Sequence, residues 1–206
     1  MPRRGKRLLA AVAFLLCTAL CHAAPESVGE GTWDDTRYVA SWVLAMADNS
    51  GRPFAIVDKR GARISVFEPD GRLIGASAAL LGRDPGDLSP PDIARRILAG
   101  LAPGERTTPA GRFDSEPGHN DKGEDIVWID YDASLAIHRL RPAPPQERRA
   151  ERLDSPTAHD NRISLGCIVV PAAFYESVVR PSLGRRRGVV YVLPESRPVQ
   201  AIFGAD

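Results

Sequence analysis

Cysteine is nearly absent from this chain of 206 residues: there are three, Cys17, Cys21 and Cys167. The first two fall in an N-terminal segment built from Arg3, Arg4, Lys6 and Arg7, an apolar run from Leu8 to Leu20, and Cys21-His22-Ala23. That layout predicts a secretory signal peptide over residues 1–23. Each of these two cysteines follows a leucine, which disfavours lipid attachment. After cleavage a single thiol remains in an oxidising compartment, and no internal disulfide can form. Long apolar runs are also lacking. The N-terminal one is too short to span a bilayer comfortably, so the processed chain is expected to carry no integral membrane segment and to work in the periplasm or cell envelope. Charge of one sign is missing too. Residues 1–23 hold four bases and no acids, so 23 basic residues face 26 acidic ones in the remainder, a formal −3. That leaves no basic footprint for nucleic acid or anionic lipid. No internal repeat or inter-domain linker interrupts the pattern. About 180 residues make one ordinary domain whose core needs no disulfide or metal staple.

Alternation and period divide the chain into residues 24–51 (a polar lead and one helix), 52–194 (the main domain) and 195–206 (a tail expected to be loose). Tyr38, Val39, Trp42, Val43 and Met46 recur at helical spacing, and Asn49-Ser50-Gly51 stops the helix. Phe54–Asp58, Arg63–Phe67 and Leu73–Ala76 read as short antiparallel strands, with Lys59-Arg60-Gly61 as a turn. Ser89-Pro90-Pro91-Asp92 reads as a capped helix start, with Ile93, Ile97, Leu98 and Leu101 as its inner stripe. Residues 102–123 read as a long loop. Ile126–Tyr131 and Leu135–Leu140 form a hairpin around Asp132-Ala133-Ser134, and a charged stretch follows to Asp160. Pro171 starts a short helix that Pro181 ends, and Gly188–Leu193 is a last buried strand. The fold class is mainly β with short helices.

Chemistry gathers around Cys167 in Ser164-Leu165-Gly166-Cys167. A thiol attacks as thiolate and needs a base. Of three histidines beyond the signal segment, His138 sits on a strand opposite Ile137, a fixed platform, whereas His119 and His159 lie in polar loops. Gly166 lets a backbone approach, and the amides of Leu165, Gly166 and Cys167 are candidates to hold an oxyanion. A thiolate-forming Cys167 with a pKa below about 8.5 is expected; a buried inert cysteine is the alternative. Zinc ligand spacing is not recognisable among His119, His138, His159 and Cys167, and no cofactor is expected. Arg162 either binds a substrate carboxylate or pairs with Asp154 or Asp160. Ser164 either orients the thiolate or closes its own loop. Trp42 and Trp128 are expected in the core, Phe113 beside a cleft, and Arg185-Arg186-Arg187 in a solvated turn.

Arg162 to Val170, together with Ala136-Ile137-His138-Arg139 and Thr108-Pro109-Ala110-Gly111-Arg112-Phe113, resembles the L,D-transpeptidase family of peptidoglycan enzymes. The Ile56-Val57-Asp58-Lys59 strand and the Asp70-Gly71 turn resemble the opening of its catalytic domain, so the likeness covers about residues 52–194. It implies Cys167 as nucleophile, His138 as general acid and base, the Arg139 backbone carbonyl orienting His138, Gly166 as an oxyanion amide and Ser164 in support. It implies peptidoglycan stem peptides as partners, a thioester at Cys167, and transfer to an amine of another stem. Hydrolysis of the same bond, or a non-catalytic wall-binding module, are the other readings. Two positions depart from the family: Leu165 replaces its usual histidine, and Val169 its usual Arg or Asn.

Overall fold

The computed structural model describes residues 30–204, with side chains from Asp34 onward. The expected signal segment with Cys17 and Cys21 lies outside the described residues. The first helix, α1 (Glu30–Ala45), buries Val39 and Val43 completely, each contributing roughly 1.5–3 kcal/mol of apolar transfer. Met46, expected on the same stripe, falls in the turn beyond the helix and is exposed.

The strands expected from alternation form β1 (Phe54–Asp58), β2 (Arg63–Phe67) and β3 (Leu73–Ala78), paired antiparallel in sequence order. The Asp58 carboxylate closes the first turn by accepting the amides of Arg60 at 2.9 Å and Gly61 at 3.0 Å. A two-residue strand β4 (Leu81–Gly82), helix α2 (Ile93–Ala99), and strands β5 (Gly111–His119), β6 (Asp125–Asp130) and β7 (Leu135–Arg139) follow. After α3 (Arg149–Asp154) come β8 (Arg162–Ser164), which pairs parallel with β4, and β9 (Ile168–Val170). Helical turns α4 (Ala172–Phe174) and α5 (Arg180–Ser182) flank a π-helical segment, Tyr175–Val179, before β10 (Gly188–Val192).

Eight strands form one sheet in the order β3-β2-β1-β10-β5-β6-β7-β9. A bridge between Leu80 and Val169 brings its two edges together, so the sheet nearly closes on itself. Its inner face carries Val57, Ile64, Val127, Ile137, Ile168 and Val190. On the outer face α1 covers Phe54, Ile56, Val189 and Tyr191, and Leu80, Leu153, Ile163 and Val169 form a third cluster. The protein is thus mainly β with short helices. No helix among the described residues is long and apolar enough to cross a membrane.

Five local expectations need correction. Residues 111–119 are a strand inside the expected loop. This polar segment is held by ladders on both sides, Gly111–Ser115 to β10 and Glu116–His119 to β6, rather than by apolar side chains. The start of α2 is not capped by Ser89: the helix begins at Ile93 after Asp92 in the left-handed region, without a side-chain cap, and Leu98 is 90% exposed. The two prolines keep residues 90–91 out of the helix. Pro181 does not end its helix; it sits in the first turn of α5, where no N–H donor is needed. The expected turn residue Lys59 is fully buried. The tail is packed, with Val199 and Phe203 buried against α1 and β10.

Candidate active site

His138 gets its position from β7. Ile137 faces the inner core, so alternation turns His138 to the outer face. β7 pairs parallel with β9 through Ile137↔Ile168 and His138↔Val169. Cys167 immediately precedes Ile168, so alternation places it on the His138 face, beside Ala136. A strand spacing of about 4.8 Å and a rise of about 3.3 Å per residue put the Cα atoms of Cys167 and His138 roughly 8 Å apart. His138 Nδ1 lies 2.8 Å from the Arg139 carbonyl oxygen. A carbonyl only accepts, so Nδ1 carries the proton and Nε2 keeps its lone pair. Burial, with Arg141 and Arg149 nearby, lowers the imidazole pKa to about 4.

Cys167 is half-buried and unpaired. Its thiol donates to the Ser134 carbonyl at 3.5 Å, and no hydrogen bond joins it to His138. Burial pushes the thiol pKa up; the Ala136 amide and Arg141 oppose that only in part. This corrects the expectation of a depressed pKa. No cation pairs with the sulfur, and the nearest imidazole is itself held neutral, so desolvation wins.

The other expected residues are placed as follows. Ser164 Oγ donates to the Cys167 carbonyl at 2.6 Å and accepts the Gly166 amide at 3.1 Å, closing its own loop. The Gly166 amide is therefore engaged and does not stand free for an oxyanion. Glycine is needed there because φ is +141° and a Cβ would meet the Thr107 carbonyl oxygen at 3.0 Å. Arg162 pairs with neither Asp154 nor Asp160 and is not free for a substrate: it donates to the Lys59 carbonyl at 2.8 Å and ion-pairs with Glu195. Leu165 is exposed, and Val169 is core. His159 is exposed, and His119 ends β5 with its Nε2 3.1 Å from the Asp125 carboxylate. Trp42 packs on Tyr191 and Phe203 as expected of core, and Phe113 packs on the inner core rather than lining a cleft. Trp128 is half-buried on the outer face.

Sequence reading missed a buried charge network behind this loop. Lys59 Nζ lies 2.8 Å from Asp87, 3.6 Å from Glu195 and 3.0 Å from the Thr108 carbonyl. Asp87 also accepts the amides of Glu195 at 2.8 Å and Ser196 at 3.1 Å. Burial lowers the Lys59 pKa, and Asp87 is held far below the ordinary carboxylate range by its hydrogen bonds from Lys59 and Ser196, against the burial that would raise it. These partners lie 28 (Lys59 to Asp87) to 136 (Lys59 to Glu195) positions apart, and nothing local in the sequence marks them. Among the described residues no group of three or more His, Cys, Asp or Glu side chains is arranged to hold a metal.

No protein family model matches the chain, and no curated protein matches it. Among solved structures it is similar to the L,D-transpeptidase from Xylanimonas cellulosilytica, at 16% identity and a TM-score of 0.41, over 69% of this chain and 60% of that one. It is also similar to a fused zinc-dependent amidase/peptidase/peptidoglycan-binding domain-containing protein from Clostridium acetobutylicum, at 14% identity and a TM-score of 0.37, over 74% of this chain and 61% of that one. The chain thus spans about three fifths of the length of each.

Proposed function

We propose that this chain is an exported cysteine acyltransferase that acts on peptidoglycan stem peptides by L,D-transpeptidation. The observation that carries the reading is the His138–Arg139 hydrogen bond of 2.8 Å, which leaves Nε2 as a free base on the sheet face that also bears the one described thiol. Cys167 Sγ attacks the carbonyl joining an L-centre to a D-residue. As the S–C bond forms, the thiol proton passes to His138 Nε2 and the carbonyl π electrons move onto the substrate oxygen, giving a tetrahedral oxyanion whose collapse re-forms the C=O bond. The C–N bond then breaks, and His138 returns the proton to the departing D-amino acid. An amine of a second stem attacks the thioester and gives its proton to His138, the S–C bond breaks, and His138 returns that proton to the leaving sulfur. Two acyl transfers thereby replace one difficult amide exchange.

Both groups are neutral at rest, so the proton moves together with the attack rather than before it. The test is product analysis of the processed chain with a stem peptide and an amine acceptor. A cross-linked dimer plus free D-amino acid is expected. Release of D-amino acid with only the shortened acid would make the protein a hydrolase, and no product would favour a wall-binding module.

A further inference from the structure

A groove of about 280 Å³ lies on the outer face of the sheet, the face that also carries Cys167. Its walls include Trp128, Tyr131, Asp114, Glu116, Arg52 and Arg187. Tyr131 is 69% exposed and meets Trp128 edge to face, ring centroids 5.0 Å apart. Gly118 makes room for this pair: a Cβ there would lie 2.4 Å from the indole. The Trp128 indole N–H has no hydrogen-bond partner within the protein.

The charges around the rings are matched. Arg52 and Arg112 pair with Asp114 at 2.8 and 3.2 Å, Arg187 pairs with Glu116 at 3.1 Å, and Asp130 accepts the Ala133 amide at 2.9 Å. Three carboxylates against three guanidiniums give little net field to hold an ion. What remains is apolar ring surface beside planar groups with spare donors and acceptors. A pyranose has that complement: C–H faces to lie on an aromatic ring and vicinal hydroxyls that both donate and accept. A peptide cation would meet one carboxylate, Asp130, without a guanidinium, and an anion would meet only paired arginines.

The groove is also in register with the nucleophile. Glu116↔Trp128 and Trp128↔Ala136 are cross-strand partners, and Cys167 follows beside Ala136. Trp128 and Cys167 thus lie two strands apart, roughly 10 Å, with one small side chain between them. A single turn links the two sites: the Ser134 amide donates to the Tyr131 carbonyl at 3.0 Å, and the Ser134 carbonyl takes the Cys167 thiol.

We propose that this Trp128–Tyr131 groove binds the glycan strand of the wall and so presents the attached peptide to Cys167. The proposal rests on the peptidoglycan reading only for the identity of the sugar. Titration calorimetry of the processed chain carrying Cys167→Ala, with the β-1,4-linked N-acetylglucosamine hexamer as probe, tests it. Saturable binding is expected, weakened about fivefold or more by Tyr131→Ala, whose exposed site leaves the fold intact, and by Gly118→Ala, which displaces the indole. No binding at millimolar hexamer, binding unchanged in both variants, or stronger binding of hexalysine than of the sugar would each overturn it. Because the probe has no peptide and the nucleophile is removed, glycan binding without acyl transfer by the unsubstituted chain would sink the catalytic reading alone.

Discussion

Thr108 Oγ1 donates to the Gly166 carbonyl at 2.7 Å while the Thr108 carbonyl accepts Lys59 Nζ at 3.0 Å. The loop that presents Cys167 is thereby tied to the buried charge network through one threonine. The same hydroxyl accepts the Gly82 amide at 2.9 Å, so both of its roles are filled by main chain. Thr108→Val leaves a buried donor and a buried acceptor unsatisfied, a cost of about 1–3 kcal/mol. Denaturant unfolding is expected to show that loss, with Thr108→Ser recovering most of it. Equal stability of the valine variant would show that the tie is not needed.

Lys59 is expected to matter more. Its removal strands Asp87 and Glu195 in the interior, and breaking one side of a buried ion network costs about 3–5 kcal/mol. Lys59→Met should lower the unfolding free energy by that amount in urea titration. A change under about 1 kcal/mol would mean that water reaches the cluster.

The pH dependence follows from His138. Its folded pKa of about 4 lies below the ordinary 6.5, so the basic form persists down to roughly pH 4. Acylation rate should therefore be flat across neutral pH and fall only on an acid limb near 4. A limb near 6.5 would place the base in water. His138→Ala should reduce the plateau on the order of 10²–10⁴-fold, whereas His119→Ala and His159→Ala, at exposed positions, should leave it within about twofold.

Alkylation reports the sulfur directly. With its pKa pushed up by burial, Cys167 should label slowly at pH 7 with iodoacetamide, the rate rising with a midpoint above the ordinary 9.0. Rapid labelling with a midpoint below that value would indicate a preformed thiolate.

What the sequence showed and what it hid follow from the range of the interactions. Phe54–Asp58, Arg63–Phe67 and the hairpin that carries His138 were legible because alternation and turn residues are local signals. The strand Gly111–His119 was not, because two neighbours supply its hydrogen bonds while Gly118 and Pro117 argue against a strand. The Arg162–Glu195 pair and the Lys59 cluster were hidden by distance along the chain. The pair Cys167 and His138 could be picked by residue type, but their neutral resting state depends on burial, which no motif records.

The most direct test is the intact mass of residues 24–206 after incubation with a carbapenem, whose strained amide acylates a reactive thiol. A single covalent adduct is expected, mapped by peptide digestion to Cys167, absent from Cys167→Ala and formed far more slowly by His138→Ala. An unmodified mass under conditions where the chain is folded, or an adduct that persists in Cys167→Ala, would contradict it.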